Sequence, residues 1–260
     1  MRTITSSSVA SEPPQSEAPR NAGQQAFQPF VLQPIPRWKK SLDYAICLAT
    51  LVITLPIWLF CTCLILLVSP GPLFFVQERV GYGGRRFNCY KFRTMKTGAD
   101  TASHQNYFRQ LQQGDAPMRK LDALDPRIIP GGRIIRALGL DELPQLINVI
   151  KGEMSWVGPR PCTPFELQRY DASQMERLSA LPGLTGLWQV RGKNRTTFAR
   201  MIELDIEYAR NQSPIQDLKI LALTPITLAM QLFEAIASRR SASANLPSPS
   251  AVQVQGATDA

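Results

Sequence analysis

The chain has 260 residues, with 29 Lys and Arg against 20 Asp and Glu, a net charge of +9, one histidine and five cysteines. That basic balance implies a partner among nucleic acid, anionic lipid or phosphorylated substrates, and the length allows one ordinary domain or a smaller domain with a membrane segment and tails. His104 stands outside any cluster, which argues against Ser-His-Asp catalysis and histidine-rich metal sites, while Cys47, Cys61 and Cys63 in an apolar run and Cys89 and Cys162 alone give neither a disulfide framework nor zinc spacing.

Residues 1–36 are rich in Ser, Pro, Gln and Ala and are expected to form a disordered tail. Residues 37–70 form the next unit. Within it, Ala45 to Val68 is 24 residues without a charge, enough at the helical rise to reach across a hydrocarbon core. Arg37, Lys39 and Lys40 precede it, and the positive-inside rule places that flank in the cytoplasm. Length alone favours a plain crossing. Pro56 near the middle can kink the helix so that it returns on the same face, and reduced cysteines with phosphate chemistry point that way.

Residues 71–236 are expected to be the catalytic domain. Leu73 to Arg79 and Phe87 to Arg93 read as strands around Gly81-Tyr82-Gly83-Gly84, a hairpin ending in Lys91-Phe92-Arg93-Thr94-Met95. No dinucleotide fingerprint or GxxxxGK[ST] loop is present. Thr97 to Leu124, which carries His104, reads as a helix with loops.

Asp141 then reads as the N-cap of a helix, with Glu142 in its first turn, Pro144 tolerated there, Leu143, Leu146, Ile147 and Ile150 as its apolar face, and Gly152 as its stop. The positive end of the helix dipole favours ionised carboxylates, so one can be a nucleophile and the other can hold a divalent cation. Arg127, Arg133 and Arg136 precede this helix and Arg160 follows it in Val157-Gly158-Pro159-Arg160-Pro161. Guanidinium forks around a carboxylate pair suit a pyrophosphate held beside a metal.

Pro164 to Leu178 reads as a helix. It leads into Pro182-Gly183-Leu184-Thr185-Gly186-Leu187-Trp188, punctuated by glycines as where backbone approaches a ligand closely. Thr196 to Asn211 places Phe198, Met201, Ile202 and Ala209 at helical spacing, as in a core-facing helix. Ser213 to Gln216 opens another helix with a capping-box pattern. Its apolar stretch, Ile220 to Phe233, suits either a membrane interface or a core. Residues 237–260 are expected to be a second disordered tail. The architecture expected is α+β, mainly helical.

Taken in order, Lys39-Lys40-Ser41-Leu42-Asp43, Ser69-Pro70-Gly71-Pro72, Gln77-Glu78-Arg79-Val80-Gly81, Lys91 to Met95, Asp141-Glu142-Leu143-Pro144-Gln145, Val157 to Pro161 and Pro182 to Gly186 resemble the bacterial monotopic phosphoglycosyl transferases, also called bacterial sugar transferases. The resemblance covers roughly residues 36 to 236 and looks closest to the short, exopolysaccharide-initiating members that load galactose 1-phosphate. It implies transfer of a sugar 1-phosphate from a UDP-sugar to undecaprenyl phosphate, with release of UMP. In the implied mechanism Asp141 is the nucleophile and Glu142 binds Mg²⁺. Arg136 and Arg160 match positions near the phosphates, Lys91 and Arg93 lie in the adjoining motif, and Arg133 joins them as a phosphate-binding candidate. The implied hydrophobic helix is re-entrant and broken at Pro56, with the catalytic domain on the cytoplasmic side of the bacterial inner membrane. Implied partners are the UDP-sugar, undecaprenyl phosphate, the lipid bilayer and downstream glycosyltransferases, and not nucleic acid. Gly139 and Leu181 stand where that family usually has a polar and a basic residue. A non-catalytic scaffold using the same basic face is the alternative, and UMP release from a UDP-sugar discriminates the two.

Overall fold

The computed structural model describes residues 32, 34–98, 111, 125–192 and 196–244, the side chains of 231 and 234–244 apart. The readings for residues 1–31, 33 and 245–260, for His104 and for most of 97–124 lie outside the described residues, whereas 237–244, expected in the disordered C-terminal tail, are helical. What is described is mainly helical with a small sheet, and it begins with the long helix α1, Arg37–Val68. Among the described residues α1 is the one helix long and apolar enough to cross a membrane. Pro56 lies inside it. Proline removes the hydrogen bond to the carbonyl four residues back, and ahead of it Thr50 and Thr54 direct their hydroxyls at the carbonyls of Ile46 and Thr50, at 2.7 and 2.8 Å. Proline and back-bonded threonines are the usual ingredients of a bend.

Leu48, Val52, Ile53, Phe60 and Leu67 of α1 are exposed, and its buried positions are Lys39, Asp43 and Cys47 at one end and Cys61 and Ile65 at the other. Each set is spaced by four, one stripe of a helix. Both stripes pack on the same domain. At the first end Asp43 Oδ1 accepts from Ser155 Oγ at 2.8 Å and from the Trp156 N–H at 2.9 Å. Lys39 Nζ donates to Val157 O and to Tyr208 OH, both at 2.7 Å, and pairs with Asp217. At the second end Cys61 and Ile65 cluster with Phe92, Ile129 and Ile135, and Trp58 meets Phe92 edge-on with ring centres 5.1 Å apart.

The expected hairpin is present within a residue of its predicted bounds. Strands β1 (Phe74–Val80) and β2 (Arg86–Phe92) pair antiparallel from Phe74↔Phe92 to Val80↔Arg86. The turn between them needs positive φ at Gly83 and Gly84 (64° and 76°), which glycine adopts without a Cβ penalty. Helix α2 (Gly132–Ala137), a 3₁₀ turn (Leu140–Gln145) and α3 (Leu146–Ile150) follow. Two short strands, β3 (Ser155–Val157) and β4 (Gly183–Thr185), pair in parallel. A Cβ at Gly158, Gly183 or Gly186 would collide with backbone atoms of Leu181 or of residue 158 itself. These glycines bring backbone against backbone.

The predicted helix over 164–178 is two pieces, α4 (Pro164–Leu167) and a 3₁₀ turn (Gln174–Ser179). Asp171 lies between them: its Oδ1 accepts from Ser173 Oγ at 2.6 Å and from the Gln174 N–H at 2.9 Å, a local alternative to helical bonding. Helix α5 (Leu187–Val190) carries the buried Trp188, and α6 (Phe198–Arg210) supplies Phe198, Met201, Ile202, Leu204 and Tyr208 to the main core. Helix α7 (Pro214–Ala244) is capped by Ser213 Oγ, which accepts the Gln216 N–H at 3.3 Å. Among its described side chains Ile220 is buried, whereas Ile226, Met230 and Phe233 are exposed. It continues past the boundary expected at residue 236.

Lys39 and Asp217 are each 1 % exposed. Removing one partner of such a pair leaves a buried uncompensated charge, so Lys39→Met is expected to cost about 3–5 kcal/mol. Lys39→Met/Asp217→Leu should recover most of that loss, as read by thermal unfolding of the detergent-solubilised protein.

Candidate active site

The acidic pair sits on the 3₁₀ turn that precedes α3. Gly139, at φ 70°, turns the chain into it, and the Glu142 N–H returns to Gly139 O at 3.1 Å. Asp141 is therefore inside the first turn and not its N-cap, because glycine takes the left-handed conformation two residues earlier. The predicted single helix is likewise a 3₁₀ turn running into α3. The two carboxylates then part company. Asp141 is 5 % exposed. Glu142 is more open and accepts from Lys91 Nζ, on β2, at 3.0 Å.

Burial by itself lowers the Lys91 pKa, but Glu142 and then Asp141 outweigh it, so the ammonium titrates above the usual lysine range. A group raised in this way stays charged at every pH below the ordinary lysine value. Lys91 is thus a fixed cation between the acidic turn and the next basic group, Arg79.

What holds the turn against β2 is Asn148, fully buried on α3. Its amide donates to Asn88 O and Glu153 Oε2, both at 2.7 Å, and its oxygen accepts the Tyr90 N–H at 3.2 Å. The backbone on both sides of Cys89 is thereby tied to the helix that carries the acids.

Arg79 continues the basic row. It is 8 % exposed and donates to Pro161 O at 3.0 Å and Gln77 Oε1 at 2.6 Å. Burial lowers its pKa, and neighbouring Arg160 adds to that effect. Arg160 itself is oriented by Glu166, with Nη1 at 3.1 and 3.3 Å from the two carboxylate oxygens. Glu166 is buried and sits in the first turn of α4, where Thr163 Oγ1 caps its N–H at 3.1 Å.

The remaining predicted residues divide. Arg136 is half-buried on α2 and donates to Thr94 Oγ1 at 3.3 Å. Arg133 is exposed on the same helix. Arg93 is 4 % exposed and gives Nη1 to Pro70 O at 2.9 Å and Nη2 to Ser69 O, so it locks the exit of α1. Arg127 grips Asp125 with Nε and Nη2, and that hydrogen bonding holds the Asp125 carboxyl down at about 2. Asp141, Glu142 and Lys91 thus come together directly and Arg160 joins them through Arg79, whereas Arg93 and Arg127 serve neighbouring backbone and carboxylate.

Arg79, Asn148 and Glu166 escape a reading of the sequence for chemistry. The available signal was a polar residue in an otherwise buried pattern, as Asn148 is between Leu146 and Val149. Trp188 is a packing residue of the main core.

A buried carboxylate thus lies beside a row of cations, on a domain joined to a long apolar helix. The profile of the bacterial sugar transferases matches residues 35–231. The chain is a member of that family of transferases. It is 39 % identical over 188 residues to the exopolysaccharide production protein ExoY of Sinorhizobium fredii, a match covering 72 % of this chain and 83 % of that one. It is also 38 % identical over 193 residues to the undecaprenyl-phosphate galactose phosphotransferase of Salmonella typhimurium, covering 72 % and 39 % of the two chains. With the undecaprenyl-phosphate glucose phosphotransferase of Komagataeibacter xylinus it shares 35 % identity over 218 residues, 76 % and 38 % of the chains.

Asn148→Ala removes three bonds at once. Leaving buried partners unsatisfied costs about 1–3 kcal/mol, so a lower melting temperature is expected, together with reduced turnover because the acidic turn loses its tie to β2. Thermal unfolding and a transferase assay on the same preparation check both.

Proposed function

We propose that the protein transfers a sugar 1-phosphate, galactose or glucose 1-phosphate, from a UDP-sugar to undecaprenyl phosphate, releasing UMP and initiating an exopolysaccharide. The observation that carries this reading is Asp141, a buried carboxylate one residue from Glu142 and within the field of Lys91. The galactose and glucose phosphotransferases among the relatives support the substrate class.

In the first half-reaction an Asp141 oxygen attacks the phosphorus that carries the sugar. The bond from that phosphorus to the bridging oxygen breaks, and its electron pair leaves on UMP. In the second, a phosphate oxygen of undecaprenyl phosphate attacks the same phosphorus and the Asp141 oxygen departs, which restores the carboxylate. Each attack brings one anion onto another, so fixed positive charge must be in place beforehand. Lys91, Arg160 and Arg136 supply it, with Arg79 next to Lys91 and Arg160 and the exposed Arg133 as a further candidate. Low solvent exposure at Asp141 also protects an acyl phosphate from water.

Mg²⁺ fits this arrangement if it is held jointly with the donor. Among the described residues no group of three or more His, Cys, Asp or Glu is placed to hold a metal. Mg²⁺, however, commonly keeps several waters and takes one or two carboxylates plus substrate phosphates. Glu142 would hold it, exchanging its bond with Lys91 for the ion. When bound, Mg²⁺ supplies charge neutralisation of the diphosphate.

The same reading places the catalytic domain at the cytoplasmic face and makes α1 re-entrant. A crossing helix leaves its ends on opposite sides of a hydrocarbon core about 30 Å thick. One polar domain holding Lys39 and Asp43 at one end and Ile65 and Ser69 at the other supports a helix that returns.

The test is intact-protein mass after mixing enzyme, Mg²⁺ and UDP-galactose or UDP-glucose without lipid. A sugar-phosphate adduct is expected on wild type and none on Asp141→Asn, while Glu142→Gln should need more Mg²⁺ for the same yield. Full turnover by Asp141→Asn would remove its role as nucleophile. For topology, cysteines placed at Ser69 or Pro72 in a Cys63→Ser background should resist membrane-impermeant reagents in intact cells. Labelling from outside would mean that α1 crosses.

A further inference from the structure

The chain buries a second ion pair, Arg177 with Asp205, each 1 % exposed. Neither residue reaches the acidic turn by any contact described above. Both converge on the peptide of one residue, Arg160. Asp205 Oδ2 accepts the Arg160 N–H at 3.2 Å, and Arg177 Nη2 donates to Arg160 O at 2.8 Å while also pairing with Asp205 Oδ2. The other guanidinium arm of Arg177 donates to Tyr170 OH, at 2.5 Å. One residue further on, Arg79 takes Pro161 O.

A buried ion pair is a poor device for stability, since well-packed apolar side chains of similar volume commonly do as well or better. It is a good device for direction. A backbone N–H and carbonyl that flank one Cα, each held by a charged partner, fix the φ and ψ from which the side chain departs. The Arg160 side chain is then restrained at its far end by Glu166.

We infer that Arg177 and Asp205 are positioning residues that clamp the main chain of Arg160 and so aim its guanidinium at the donor phosphates. This rests on the role proposed above for Arg160. The clamp links the 3₁₀ turn at Gln174–Ser179 and helix α6 to the loop after β3, so two elements that carry no reacting group set the placement of one that does.

The experiment is a double-mutant cycle on kcat/KM for UDP-galactose or UDP-glucose, whichever the enzyme accepts. It uses full-length Arg177→Met, Arg160→Ala and their combination, each checked for a cooperative thermal transition. Arg177→Met is expected to lower kcat/KM at least tenfold, and to lower it less than twofold further once Arg160 is already Ala, because a clamp has nothing left to aim. Arg177→Lys, which keeps the charge beside Asp205, should recover part of the loss. Should Arg177→Met fail to fold, the cycle is run with Asp205→Asn and Arg177→Lys, and the same non-additivity is expected. Equal losses in the wild-type and Arg160→Ala backgrounds would overturn the clamp, as would unchanged kinetics in a folded Arg177→Met. A fully active Arg160→Ala enzyme would instead remove the phosphate role of Arg160, and the clamp would go with it. The two failures are therefore read from different corners of the cycle.

Discussion

The rest of the structure depends on where Lys39 places its charge. An ammonium at the head of an apolar helix would ordinarily seek water, yet here it is enclosed by Val157 O, Tyr208 OH and Asp217. Those partners come from β3, α6 and α7, so the entry to α1 is fixed against the C-terminal half of the domain. Val157 also immediately precedes the loop that carries Arg160. One buried contact thus ties the helix entry to the strand that leads into the loop of Arg160. At the other end Arg93 closes on Ser69 O and Pro70 O, and the helix is held by cations at both ends.

The site uses charge in graded steps of exposure. Asp141 is buried, Glu142 and Lys91 are half-open, Arg79 is buried again, and Arg160, partly exposed, pairs with the buried Glu166 from a loop pinned by buried charges. Paired and hydrogen-bonded placement makes the burial of so many charges tolerable.

Local rules read the parts of this fold that are themselves local. The hairpin was visible in β-rich runs around Gly81-Tyr82-Gly83-Gly84, the cap at Ser213 in its capping-box spacing, and α6 in the recurrence of Phe198, Met201 and Ile202. Asp141 and Glu142 were legible as a pair with unusual neighbours, and the family was legible from motif order. The splitting of 164–178 was not, because it turns on whether Asp171 bonds its own backbone. The partners of Arg93, Arg160 and Asn148 were not either. Most lie across a sequence separation that no periodicity encodes, such as the 60 residues between Asn148 and Asn88. A charge on a buried face, as Asp205 is beside Leu204, is the trace such partnerships leave in a sequence.

The close approach of residue 158 to the 183–186 segment has a consequence for reading relatives of this chain. Gly158 and Gly183 stand inside the two motifs that flank the basic row, and Gly186 closes the second. Any side chain there meets main-chain atoms that cannot move aside. If these three positions prove invariant among homologues, that invariance will measure how tightly two peptides are pressed together, and it will look the same as the signature of a ligand-contacting loop. Conservation at these buried positions would then record the close packing of two segments as though it were chemistry.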